Sequence, residues 1–217
     1  MKRCLICNRD RSRHQDFYHW IHSDTLLCGD CQLQLNPVET VRMLDDMKVH
    51  ILYEYNGFLE NLLFQYKEGQ DVALRQMFFW DYRHQIRKQF KGRTILLMPS
   101  SEAKNRERGF HALKEMSAVI PLPTLQPFCK RSDHKQSLLS YEQRQHISKF
   151  MDWQLDAEFS KRKVLLVDDV VTTGATLRAA YKLLPQSIKK AEALVCCAHP
   201  LFLKQQPRTH AAFLNRR

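Results

Sequence analysis

The sequence predicts an α/β fold, a parallel sheet flanked by helices, with a small four-cysteine module at its amino-terminal end. Three observations carry this. Apolar segments of strand length alternate with segments of helical periodicity from residue 49 onward, the pattern of βα units with a parallel sheet. Residues 163–168 form an apolar strand that runs into two carboxylates, a hydroxyl-rich loop and a helix. Two CxxC pairs, Cys4 with Cys7 and Cys28 with Cys31, lie ahead of these elements with 20 residues between them, at the upper edge of zinc-ribbon spacing.

Taken in order, residues 1–35 are expected to form a Cys4 zinc finger and residues 36–217 the main domain, with Asn36 and Pro37 marking the boundary. Two thiolates three positions apart reach one ion from a tight turn, and two such turns supply four tetrahedral corners. A redox CxxC needs only one pair, and disulfides are disfavoured in a reducing compartment. A structural zinc is therefore expected on Cys4, Cys7, Cys28 and Cys31, its thiolate charge offset by Lys2, Arg3 and Arg9. Residues 9–20 are basic and then aromatic. They suit stacking on single-stranded nucleic acid, or else Phe17, Tyr18 and Trp20 supply the module's small core.

Residues 49–55 read as a strand, punctuated by Asn56 and Gly57. Leu59, Leu62, Leu63 and Tyr66 then follow at helical spacing, and Gly69 ends that helix. Residues 71–90 read as a second amphipathic helix with Val72, Leu74, Met77, Phe78, Tyr82 and Ile86 available for burial. A short strand at 94–98 is closed by Pro99, 107–118 reads as helix, and Pro121, Pro123 and Pro127 mark an extended stretch. The polar segment 130–149 has the composition of a lid. Strand 163–168, helix 176–184 and strand 193–198 complete the pattern, with Cys196 and Cys197 as buried strand cysteines.

With 217 residues, 44% of them hydrophobic, the chain is long enough for a self-supporting core and too apolar for a disordered segment. No run approaches the ~18 apolar residues of a membrane span, so no membrane insertion is expected. Asn8, Asp10 and the surrounding arginines interrupt any signal-peptide core, so a cytoplasmic location is expected. The formal charge of +11 points to polyanions: nucleic acid, phosphorylated small molecules, or both.

The chemistry concentrates in residues 164–176. Asp168 and Asp169 end the strand, placed to accept bonds from ribose hydroxyls or to hold a hydrated Mg²⁺. The backbone of Val171, Thr172, Thr173, Gly174, Ala175 and Thr176 leads into a helix N-terminus, where N–H groups and dipole favour a phosphate. GxxxxGK[ST] and GxGxxG are both absent. The plainer reading is helix capping by the two aspartates.

This segment resembles the phosphoribosyl pyrophosphate (PRPP) loop of type I phosphoribosyltransferases. Together with the two CxxC pairs, Arg106 to Phe110 (RERGF), residues 136–140 (QSLLS) followed by Arg144, and the turn Tyr66-Lys67-Glu68-Gly69, the chain resembles the ComF family. Such proteins join a zinc finger to a type I phosphoribosyltransferase-like domain. The resemblance implies that Asp168 and Asp169 contact the ribose hydroxyls and that residues 171–176 cradle the 5-phosphate. The stretch containing Ser100 and Ser101 occupies the pyrophosphate-loop position, where the family's usual histidine is missing, and His111 replaces a common asparagine. Arg106, Arg108, Lys130 and Arg131 are candidates to contact pyrophosphate or DNA, or else form a solvated basic face. The implied function is a competence protein for natural transformation that binds PRPP with Mg²⁺, and single-stranded DNA. A DNA-uptake helicase and other competence proteins are the implied partners. The alternative is an active Mg²⁺-dependent phosphoribosyltransferase of nucleotide salvage with an unidentified acceptor. Clusters at Arg83, Arg87, Lys88, Lys91 and Arg93, and at Lys204, Arg208, Arg216 and Arg217, have no small-ligand explanation.

Overall fold

The computed structural model describes residues 3–11, 25–130, 151–154, 163–188 and 190–209. Lys2, Phe17, Tyr18, Trp20, Arg131, Arg144, Arg216, Arg217, the 136–140 motif and the lid segment beyond Lys130 lie outside them. The main sheet has six strands. Four of them, β2 (Met47–Glu54), β8 (Ala191–Ala198), β7 (Lys163–Val171) and β3 (Arg93–Leu97), run parallel in that spatial order. The short β4 (Thr124–Leu125) extends the parallel set beside β3, and β1 (Pro37–Leu44) pairs antiparallel with β2 at the opposite edge. A separate antiparallel pair joins β5 (Phe128–Lys130) to β6 (Met151–Trp153).

Val164, Leu165, Leu166 and Val167 are all fully buried, as a central parallel strand covered on both faces requires. The covering helices are α2 (Gly57–Lys67), α3 (Arg83–Gln89), α4 (Glu102–Arg108), α5 (Ala112–Ser117), α6 (Ala175–Leu183) and α7 (Pro200–Gln205). In α2 the Asn56 side chain caps the Leu59 N–H at 2.9 Å, and Leu59, Leu62, Leu63 and Tyr66 are buried as their spacing predicts. The four-cysteine module contributes α1 (Gly29–Gln34), and Cys4, Leu27, Cys28, Cys31 and Leu35 join the same hydrophobic core as the sheet. No helix among the described residues is long and apolar enough to cross a membrane.

Three expectations are corrected. Residues 71–90 are not one helix: two 3₁₀ segments, Val72–Gln76 and Trp80–Tyr82, precede the short α3. Met77, Phe78 and Phe79 are all buried in succession. An α-helix would spread three consecutive side chains over about 200°, too wide for one contact face. The helix expected at 107–118 divides at Gly109, whose φ of 77° closes α4 as a left-handed cap before α5 begins. The strand expected at 163–168 continues to Val171, so the loop is shorter than predicted. Several elements were not anticipated, among them α1, β6, most of α4, β1 and α7. β1 carries Glu39, Thr40 and Arg42 among its apolar residues, which hides its pattern, and α7 begins at Pro200 behind the capping side chain of His199.

Toward the amino ends of the strands the core encloses a charge network. Glu192 of β8 accepts from the Arg93 Nη2 at 2.6 Å and bonds the His50 Nε2 at 2.8 Å. Arg93 Nη1 also donates to the carbonyls of Val164 and Lys190. Hydrogen bonding from His50, and then the charge of Arg93, pull the Glu192 carboxyl down to about 2 against the opposing effect of burial.

Candidate phosphate and metal sites

Strand order creates the main crevice. From β3 the chain proceeds to β4 on one side, whereas from β7 it proceeds through α6 to β8 on the other. The loops leaving the carboxyl ends of β3 and β7 therefore diverge, and ligands of open α/β sheets bind at such a switch point. The β3 exit supplies Ser100 and Ser101, and the β7 exit supplies residues 172–174.

Asp168 and Asp169 lie inside β7, and Asp168 is opposite Val195 of β8. Val171 is the last strand residue and pairs with Ala198, so it anchors the loop. The turn proper is Thr172, Thr173 and Gly174, and Ala175 opens α6. The Ala175 N–H is taken by the Thr173 Oγ1 at 3.3 Å. The N–H groups of Thr172, Thr173, Gly174 and Thr176 donate to no acceptor among the described residues. Gathered at a helix start, they form the donor set that a phosphate satisfies.

Gly174 is required twice. Its φ is +77°, and a Cβ there would meet both Leu44 methyls at 2.8 Å and the Phe202 ring at 3.1 Å. The loop is thus pressed against the end of β1 and against α7. Arg178 of α6 fastens the same contact, its Nη1 donating to the Thr173 carbonyl and its Nε to Asp45, both at 3.0 Å.

The acidic pair has a partner that sequence reasoning missed. Lys67, the last residue of α2, places its Nζ on the Asp169 carboxylate. The two residues are 102 positions apart, and the only sequence signal was the turn Tyr66-Lys67-Glu68-Gly69. Burial, and then the Asp169 charge, push the Asp168 carboxyl up to about 8. Lys67 bonds Asp169 alone, and the Asp168 Oδ1 accepts from the Asp169 N–H at 2.9 Å; with its carboxyl pushed up, Asp168 is mostly ionised at neutral pH only when a further cation stands beside it. That donor set fits a hydrated Mg²⁺.

The β3 exit is ordered by local hydrogen bonds. Ser100 Oγ contacts the Asn105 side chain at 2.7–2.9 Å and the His111 Nε2 at 3.3 Å. His111 Nδ1 accepts from the Lys114 N–H and caps α5. Because Nδ1 accepts, the neutral ring donates through Nε2 to Ser100, and burial lowers the His111 pKa, favouring that neutral form. His111 is therefore a cap and an orienting group for Ser100. Ser101 caps α4. Arg108, 7% exposed, is paired with Glu68 at 2.6 Å, so that cation is already committed. Arg106 and Lys130 are exposed, and the structure does not bring them into the hydrogen-bonded cluster.

The cysteines form the second site. All four sulfur atoms lie within 4.8 Å of one another, with the Cys7 and Cys28 sulfurs 3.6 Å apart. Zn–S bonds of about 2.3 Å in a tetrahedron place sulfurs about 3.8 Å apart, so the cluster fits a structural zinc. Burial and neighbouring sulfurs push the Cys31 thiol well up, whereas backbone hydrogen bonds bring Cys4 to about 7 despite burial. Four thiolates in this enclosure need a cation. Arg9, expected to offset their charge, instead pairs with Asp30 at 3.3 Å.

No family model matches the chain. It is similar to Competence protein ComFC of Bacillus subtilis, with 24% identity over 87% of this chain and 73% of the relative. It is also similar to Competence protein ComFC of Streptococcus pneumoniae, with 21% identity over 85% and 94% of the two chains. Competence protein F of Haemophilus influenzae shares 25% identity over 72% of this chain and 71% of its own.

Proposed function

We infer from distant homology over most of its length that this chain is a relative of the ComFC and competence protein F family, and we propose that it is itself a competence protein for natural transformation. In this reading it binds PRPP, or a related 5-phosphorylated ribose, with Mg²⁺ at the β7–α6 turn, and it binds single-stranded DNA during uptake. The zinc finger is structural. Competence proteins such as an uptake helicase are its partners.

One observation carries the phosphate reading. Four backbone N–H groups at the start of α6 donate to no acceptor among the described residues, and two strand-borne aspartates precede them in β7. The turn donates to the 5-phosphate, and Thr172 and Thr173 add hydroxyls. Asp168 and Asp169 accept from the ribose hydroxyls or hold the water shell of Mg²⁺. Bound there, Mg²⁺ neutralises diphosphate charge. Ser100, held by Asn105 and His111 on the loop that leaves β3, serves the diphosphate end. Binding is favoured over turnover because Arg108, a candidate to neutralise a departing diphosphate, is engaged by Glu68.

Calorimetric titration with PRPP and Mg²⁺, with and without an oligonucleotide, tests the proposal. Binding is expected for the wild type and loss of binding for Asp168→Asn with Asp169→Asn. A double variant that binds as tightly as wild type refutes the site. Pyrophosphate release in the presence of an acceptor, abolished in that variant, would establish the transferase alternative.

A further inference from the structure

The basic residues after Glu192 have no part in the phosphate turn, yet one of them occupies an unusual position. Beyond α7 the chain returns along β1. The Met43 N–H donates to the Pro207 carbonyl at 3.0 Å and the Thr209 N–H to the Val41 carbonyl at 3.2 Å. Between these bonds Arg42 and Arg208 form an antiparallel bridge. Bonds on the flanking residues make them a non-hydrogen-bonded pair, the closer kind, with Cα atoms about 4.5 Å apart and side chains on one face. Like charges placed directly opposite each other destabilise a sheet.

Arg42 is 7% exposed, and its Nε is enclosed without an acceptor. Among the described residues neither guanidinium has a hydrogen bond or an ion pair. The other well-covered arginines differ: Arg93 and Arg108 each hold a glutamate. Burial, and then the charge of Arg208, depress the Arg42 guanidinium below its ordinary value. A covered, unpaired arginine facing a second arginine carries a cost that an anion between them removes.

The position indicates which anion. Leu44 follows Arg42 by two residues on the same face of β1, about 7 Å along the strand, and its methyls abut Gly174 of the phosphate turn. A polymer with regularly spaced phosphates reaches both places, whereas a single small anion reaches one. We propose that Arg42 and Arg208 together bind a phosphodiester of single-stranded DNA, so that the β1 edge continues the path that begins at the phosphate turn. Each guanidinium takes one unesterified oxygen. The proposal rests on the DNA-binding reading above and adds its address.

The test is fluorescence anisotropy of a labelled oligothymidylate with the full chain across a salt series. Arg208 is exposed, so Arg208→Gln is compatible with folding, and Arg42→Gln is the second variant. Loss of one phosphate contact lowers the slope of log affinity against log salt by about 0.7, or about fivefold in affinity near 0.1 M salt. The double variant is expected to lose that much and each single variant a part of it, while calorimetric binding of PRPP with Mg²⁺ is unchanged. Arg208→Gln with wild-type slope and affinity overturns the proposal and leaves the DNA reading intact. A wild-type protein whose oligothymidylate binding is absent or indifferent to salt overturns both. Loss of binding to polyglutamate but not to oligothymidylate assigns the pair to an acidic protein and likewise overturns it.

Discussion

Glu192 offers the sharpest test of how the core is held together. Its carboxylate bonds Arg93 and His50 at 2.6 and 2.8 Å, with Lys190 at 3.9 Å, and its side chain is 10% exposed. Its carboxyl is lowered from an ordinary 4.5 to about 2, equivalent to about 3 kcal/mol of folding stability at neutral pH. The folded state binds the proton less readily than the unfolded state, so this stability is present above pH 4.5 and is lost as pH falls toward 2. At pH 3 about 1 kcal/mol remains by the same linkage relation. Glu192→Gln removes the titration while keeping the side chain's shape. Urea denaturation of wild type and variant at pH 7, 5, 4 and 3 then gives a difference that cancels other acid-sensitive groups. That difference is expected to shrink by about 2 kcal/mol between pH 7 and pH 3. Parallel curves for the two proteins would refute the assignment of the acid-labile stability to Glu192.

Gly174→Ala forces a left-handed alanine and a methyl into Leu44 and Phe202. The expected loss is about 2–5 kcal/mol, read as a lower melting temperature together with weaker phosphate binding. Lys67→Met removes the cation from Asp169. Affinity for Mn²⁺ alone should rise by about tenfold while that for PRPP falls, since one charge at about 4 Å is worth roughly 1–4 kcal/mol; changes in the same direction contradict the pairing. Cys28→Ala opens one corner of the sulfur cluster. Elemental analysis should show about one zinc per wild-type chain and much less in the variant, with a lower melting temperature because Cys28 belongs to the common core.

Local pattern made the central strands legible. The run from Val164 to Val167 reads as buried strand because nothing polar interrupts it, and Leu59, Leu62, Leu63 and Tyr66 mark a helix by spacing alone. The turn at Thr172 to Gly174 was visible because residue types that bind phosphate occur together there. Other features depend on tertiary context. Phe78 reads as one position on a helical face until Met77, Phe78 and Phe79 are all seen to be buried in succession. Gly109 reads as an interior residue until its left-handed φ is known. The salt bridge from Lys67 to Asp169 and the facing of Arg42 with Arg208 join residues far apart in sequence, and no window along the chain contains either pair. β1 escaped notice because its polar positions reflect a sheet edge covered by a later segment.

The position of β8 has a consequence for synthesis. Val49 of β2 is aligned with Ala193 of β8, 144 positions later in the chain. At translation rates of about 5–20 residues per second, β2 waits roughly 7–30 s before its inner neighbour leaves the ribosome. Throughout that interval its inner edge presents unpaired N–H and C=O groups and an apolar surface, which is a template for mispairing. Yield of native protein should therefore respond to translation speed and chaperone supply more than to any single side chain in the finished core. A nascent chain stopped before Ala191 is a species with an open sheet at its centre.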